Sequence, residues 1–188
     1  MGPHRILLIR HAEKPSAVFG SGVDADGHTD EASLAVRGWQ RAGALAQLFS
    51  APEDEHEGRL RGRLRPSTVY AAGAGKGNGS KRSMQTVAPL VAVLRACAQV
   101  RYETTYGKDD GAALMADVLM QTGVVLIAWE HKVLPSLVAH LPGAPNVPCA
   151  WPDDRFDVIW VFDRTAPGWS FVQQPQLLLA GDSASTIV

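Results

Sequence analysis

The sequence predicts an α/β fold: a three-layer α/β/α sandwich with a mostly parallel central sheet. Three observations carry this. Arg5 to Ile9 (RILLI), Thr68 to Ala72 (TVYAA) and Val124 to Trp129 (VVLIAW) are short apolar runs, as expected of strands buried on both faces. Segments with helical spacing separate them. Such alternation implies a sheet covered by helices on both sides. The chain has 188 residues, 46% hydrophobic and 20% charged, which suffices for one domain with a full core. Residues 1–180 are expected to form that domain and 181–188 a disordered tail.

After the first strand, Ser16 to Glu31 is polar and rich in Gly and Asp, and reads as a loop over the strand ends. Ser33 to Phe49 reads as a helix, because Leu34, Gly38, Ala42, Leu45 and Phe49 share one face. Ser33 is its expected N-cap. Gly38 costs about 1 kcal/mol against alanine in a helix, so its presence points to close packing. Residues 51–66 switch from acidic to basic and read as a solvated connection. The second strand is followed by a Gly-rich loop, Gly73 to Gly79, and a helix from Ser80 to Cys97 containing Pro89. Gln99 to Tyr106 is a candidate third strand and Gly111 to Gln121 a helix. The run Val124 to Trp129 ends in Glu130-His131, and a helix over Leu134 to Leu141 follows. Asp157 to Asp163 and Trp169 to Gln173, joined at Pro167-Gly168, read as an antiparallel edge pair.

A net charge of −1 argues against general nucleic-acid binding. Cys97 and Cys149 stand far apart, so no disulfide framework or zinc knuckle is readable. No apolar run is long enough to span a bilayer, and the cytoplasm is the expected location. Gly73 to Ser80 (GAGKGNGS) does not match a phosphate-binding loop, because no Gly-Lys pair precedes Ser or Thr. His11-Ala12-Glu13 has the first half of a zinc-deaminase pattern, but Pro148-Cys149-Ala150-Trp151 does not complete the second. HExxH and GxSxG do not occur. No metal or cofactor is expected.

The remaining signal lies at the strand ends. Arg10-His11 follows the first strand, Lys81-Arg82 opens the helix after the second, and His131 follows Val124 to Trp129. Ligands of open α/β sheets sit at the carboxyl ends of the strands. Two arginines and two histidines there suit a phosphoryl group, since guanidinium forks match its oxygens and an imidazole nitrogen can attack.

In these residues the chain resembles the histidine phosphatase superfamily, in the larger branch that includes cofactor-dependent phosphoglycerate mutase. Leu8 to Pro15 (LIRHAEKP) resembles its RHG signature, with Ala12 in place of glycine. Leu34, Gly38 and Ala42 resemble the following helix, Arg82-Ser83-Met84-Gln85-Thr86 the R-x-x-Q-T segment, and Val125 to His131 the late strand with the second histidine. The matches stand in family order from residue 6 to about 140. The resemblance implies His11 as a nucleophile that forms a phosphohistidine, Arg10 and Arg82 as phosphate ligands, and His131 as the group that completes the pocket. Lys14 is a further candidate for substrate binding. Glu103, shortly before Tyr106-Gly107, is the leading candidate for the general acid, with Asp109, Asp110, Glu13, Glu130 or no acid at all as alternatives. The implied activity is metal-independent hydrolysis of phosphate monoesters, a histidine acid phosphatase-type phosphomonoesterase. Its substrate is a small-molecule phosphate ester or a phosphoprotein, with no nucleic acid or membrane involved and oligomeric state open. A mutase-like phosphotransferase and a catalytically silent phospho-ligand-binding module are the alternatives.

Overall fold

The first apolar run forms β1 (Arg5–Arg10), all six residues of which are buried. A computed structural model of the chain, which describes residues 2–51, 64–75 and 79–188, places this strand inside a six-stranded sheet. In chain order there follow α1 (Val36–Ser50), β2 (Thr68–Ala71), α2 (Arg82–Cys97), β3 (Arg101–Glu103) and α3 (Gly111–Met120). After these come β4 (Val124–Trp129), α4 (Leu134–Val138), β5 (Val158–Thr165) and β6 (Gly168–Pro175). The sheet order is β3-β2-β4-β1-β5-β6. β3, β2, β4 and β1 run parallel, and β5 and β6 close the edge antiparallel. This is the expected α/β architecture.

Side chains of a strand alternate between faces, and the two cores follow that rule. Leu7 and Ile9 of β1 pack with Leu45 and Phe49 of α1 and with Val87 and Leu90 of α2. Ile6 and Leu8 pack on the opposite face with Leu114 and Val118 of α3, Leu134 and Leu137 of α4, and Trp160 and Phe162 of β5. Register then fixes the site. Arg10 pairs with Trp129 in the parallel β1–β4 ladder, and the His11 amide donates to the Trp129 carbonyl at 3.0 Å. His11 and Glu130-His131 therefore leave the sheet at the same edge.

Several local expectations differ. α1 begins at Val36, with Ala35 as an N-cap that makes no side-chain bond. Ser33 instead donates its hydroxyl to Asp30 and accepts from the Gln85 amide, so it ties the preceding loop to α2. β3 is three residues long: as an edge strand it pairs with β2 alone, from Thr68↔Arg101 to Tyr70↔Glu103. The segment 181–188, expected as a disordered tail, is packed. Asp182 bonds to Arg41, the Ile187 backbone pairs with the Gln173 side chain, and Ile187 is buried. The charged connection lies largely outside the described residues, as do residues 76–78 of the Gly-rich loop. Among the described residues, no helix is long and apolar enough to cross a membrane.

Candidate active site

A cavity of about 440 Å³ opens at the carboxyl ends of β1, β2 and β4, and His11, Arg82 and His131 all line it. Each arrives from a different element: His11 follows β1, His131 follows β4, and Arg82 begins α2. The loops are tied together behind them. The Ala12 amide donates to the Thr86 hydroxyl at 2.8 Å, and that hydroxyl donates to the Arg82 carbonyl at 2.7 Å. Gln85 accepts from the Leu34 amide at 2.9 Å. Gln85 and Thr86 thus hold the loops around the cavity, while Arg82 faces into it. Ala12, where the signature has glycine, is buried and needs no left-handed backbone, since Leu177 is the one non-glycine residue with positive φ among those described.

His11 is 5% exposed. Its Nδ1 lies 2.8 Å from the Ala12 carbonyl, which can only accept, so Nδ1 carries the proton and Nε2 keeps its lone pair. Burial pushes the ring's pKa down to about 3, and the charges of Arg10 and Arg82 push the same way. The ring is therefore neutral across the ordinary pH range, with the Nε2 lone pair free.

Arg10 is fully buried. Its Nη1 donates to the carbonyls of Pro152, Asp153 and Arg155 at 3.1, 2.7 and 3.1 Å, and the guanidinium stacks 3.8 Å from the centre of the Phe156 ring. Nε and Nη2 have no hydrogen-bond partner among the described residues, and neither has Nε of Arg82. Burial lowers the pKa of Arg10 to about 10 and also lowers that of Arg82, and both stay charged at neutral pH. Unsatisfied donors on a buried cation are costly, and these three belong to the two guanidinium groups whose charge acts on His11, an environment that favours an anion; Arg82 lines the cavity itself and Arg10 does not. His131 is buried, and its Nε2 lies 2.5 Å from Asp153 Oδ1. That carboxylate stands off the ring's N–H direction, so neither ring nitrogen has an aligned hydrogen bond. Burial and the charge of Arg10 lower its pKa, against the pull of Asp153.

Lys14, Lys108 and Lys132 also line the cavity, with Glu31 and Glu130 among them. The other acid candidates lie elsewhere. Glu103, on the edge strand, accepts from both Thr104 and Thr105, and the Thr105 hydrogen bonds hold its carboxyl below the usual range. It is not brought to the cavity wall. Glu13 is 1% exposed and is held by Arg41 at 2.8 Å and Arg37 at 3.2 Å. Asp110 caps the Gly107 amide, and neither it nor Asp109 lines the cavity. Trp129 lies wholly in the core, with its indole N–H on the Lys108 carbonyl. His4, His28 and His140 are exposed, and His56 lies outside the described residues. Among the described residues, the one cluster with metal-ligating geometry is Asp24, Asp26 and His28, which does not line the cavity.

Sequence reasoning missed Asp153, Phe156 and Arg41. The first two lie on the loop before β5 and reach the site only because β5 pairs with β1. Arg41 carries a signal in retrospect: it is a charged residue three positions after Gly38 and one before Ala42, beside the apolar face of its helix.

Fold and cavity together define an α/β protein with a neutral imidazole at the end of its central parallel strands, set in a cationic cradle. No protein-family model matches the chain, and no curated protein matches it in sequence. Among solved structures it is similar to a protein described as the phosphohistidine phosphatase SixA of Agrobacterium tumefaciens, at 17% identity and TM-score 0.47 over 90% of this chain and 95% of that one. It is similar to the product of open reading frame Rv3214 of Mycobacterium tuberculosis, at 14% identity and TM-score 0.49 over 90% and 95%. It is also similar to a phosphoserine phosphatase variant of Entamoeba histolytica in complex with phosphoserine, at 12% identity and TM-score 0.49 over 89% and 94%. At such identities these likenesses assign no residue of this chain a role.

Proposed function

We propose that this protein hydrolyses phosphate monoesters through a phosphohistidine on His11, without a metal ion. The observation that carries this reading is a buried imidazole whose Nδ1 is occupied by the Ala12 carbonyl, beside guanidinium nitrogens of Arg10 and Arg82 that have no partner among the described residues. His11 Nε2 attacks phosphorus. Arg10, Arg82 and His131 hold the phosphoryl oxygens, on which charge is spread during transfer. Positioning and fixed cations supply most of the catalysis of such a transfer. Lys14, at the rim, meets the remainder of the substrate. Water then cleaves the N–P bond, which frees His11 and inorganic phosphate.

The test is hydrolysis of an aryl phosphate in the presence of EDTA by wild type and His11→Ala. The expected result is activity that survives the chelator and falls at least about 10³-fold in the variant, as for loss of a nucleophile. Radiolabelled phosphate should become bound to the wild-type protein in a form that resists alkali and is lost in acid, as an N–P bond is. Activity abolished by EDTA, or retained in His11→Ala, would overturn the mechanism. Ligand capture without turnover would favour a binding module.

A further inference from the structure

We propose that Asp153 donates the proton to the leaving oxygen of the ester. The proposal rests on the phosphomonoesterase reading above and names a group that reading lacks. An alkoxide is a poor leaving group, and a positioned acid contributes about 10²–10⁴-fold to its departure.

Among the described carboxylates, Asp153 is the one that contacts a cavity imidazole, at 2.5 Å from His131 Nε2. Its backbone carbonyl receives the shortest of the three bonds from Arg10 Nη1, at 2.7 Å. One residue therefore touches both Arg10 and His131. Asp153 does not itself line the cavity, but its side chain touches the lining residue His131 and is 77% exposed, so a torsion about the side-chain bonds would carry the carboxyl to an ester oxygen at the cavity mouth. The groups that face it are His131, Lys14 and Lys132. Those that face His131 are Arg10, Asp153 and Lys14. Glu31 and Glu130 also border the cavity but act on Arg82, and Glu13 is paired with the buried Arg41 and the half-buried Arg37.

In the free protein His131 lowers the proton affinity of Asp153. A phosphoryl group changes that balance: its negative charge raises the proton affinity of nearby groups, and the His131 N–H turns to a phosphoryl oxygen. One proton taken up with the substrate then resides on Asp153. As the N–P bond to His11 forms and the P–O bond breaks, this proton passes to the leaving oxygen and yields the alcohol. In the second half the Asp153 carboxylate accepts a proton from the attacking water, the new O–P bond forms and the N–P bond breaks.

The experiment compares wild type, Asp153→Asn and Glu130→Gln on two esters, p-nitrophenyl phosphate and glycerol phosphate. Nitrophenolate departs without a proton and the alkoxide does not. Asp153→Asn should lower kcat for glycerol phosphate about 10²–10³-fold and for the nitrophenyl ester less than about ten-fold, and Asp153→Glu should recover part of the alkyl activity. An equal fall on both esters would overturn the proposal and make Asp153 a support for Arg10 and His131. Unchanged or faster turnover on both would also overturn it, and so would the same split appearing in Glu130→Gln instead. A wild type silent on both esters would sink the parent reading, an outcome distinct from any of these.

Discussion

His11 is buried at the cavity, and that burial sets the state of its ring. Removing the ring from water and placing it beside two guanidinium groups lowers its pKa from the ordinary 6.5 to about 3, which frees Nε2 at neutral pH and also makes the ring an acid-labile element. In the unfolded chain the ring takes a proton near pH 6.5, while in the fold it does so only near pH 3. The unfolded state thus binds more protons between these limits, and stability contributed above pH 6.5 is lost as the pH falls. His11→Asn retains a donor for the Ala12 carbonyl and removes the titration. Urea unfolding should show wild type losing stability relative to this variant below pH 6.5, with a slope of at most about 1.4 kcal/mol per pH unit. A difference that stays flat with pH would mean that the buried ring titrates normally.

At the scale of elements, α1 is pressed against the loop that carries His11. A Cβ on Gly38 would meet the Glu13 carbonyl oxygen at 2.5 Å and the Glu13 nitrogen at 3.1 Å, two residues from His11. Gly43, on the same helix, has nothing within 4 Å of such an atom. Helix propensity alone would favour alanine at both by about 1 kcal/mol. The expectation is that Gly43→Ala stabilises by about 0.5–1 kcal/mol and leaves turnover intact. Gly38→Ala should destabilise by about 1–3 kcal/mol, as overpacking does, and lower kcat. Chemical denaturation and phosphatase assays on the pair check this, and similar gains in both variants would sink it. The close packing at Gly38 was legible because a glycine stood on an apolar helical face. β1, β2 and β4 were legible because strands buried on both faces are apolar throughout, and Arg10, His11, Arg82 and His131 because strand ends and a helix start locate them. Asp153 and Phe156 were not, since nothing local marks a loop as one that folds back over a site. Glu103 lies off the cavity wall for a related reason: proximity to Tyr106-Gly107 in sequence does not reveal that its carboxylate turns to its own Thr104 and Thr105.

Across the whole molecule, one buried charge network joins the two ends of the fold. Arg41 is 2% exposed and lies between Glu13, two residues past His11, and Asp182, near the C-terminus, at 2.8 and 2.7 Å. It also donates to Gln176 at 2.9 Å. Burial opposes its charge, yet the bonds to Asp182 and Glu13 outweigh that and raise its pKa, while the same contacts hold Asp182 down to about 2. Removing one partner from a buried network leaves the other charge uncompensated, which costs about 3–5 kcal/mol. Ile187, buried against the α3–α4 face, adds about 1.5–3 kcal/mol of apolar burial. Deleting residues 181–188 should therefore lower Tm by roughly 10 °C or more, given about 2–4 °C per kcal/mol in a chain of this size. Asp182→Asn should account for more of the drop than Ile187→Ala. Because Glu13 continues the backbone of His11, the deletion should also reduce kcat at temperatures where the protein is still folded. A truncated chain with unchanged Tm would show that the C-terminal segment rests on the fold without supporting it. A lowered Tm with unchanged kcat would show that Arg41 and Arg37 hold Glu13 well enough without Asp182 to keep His11 in place.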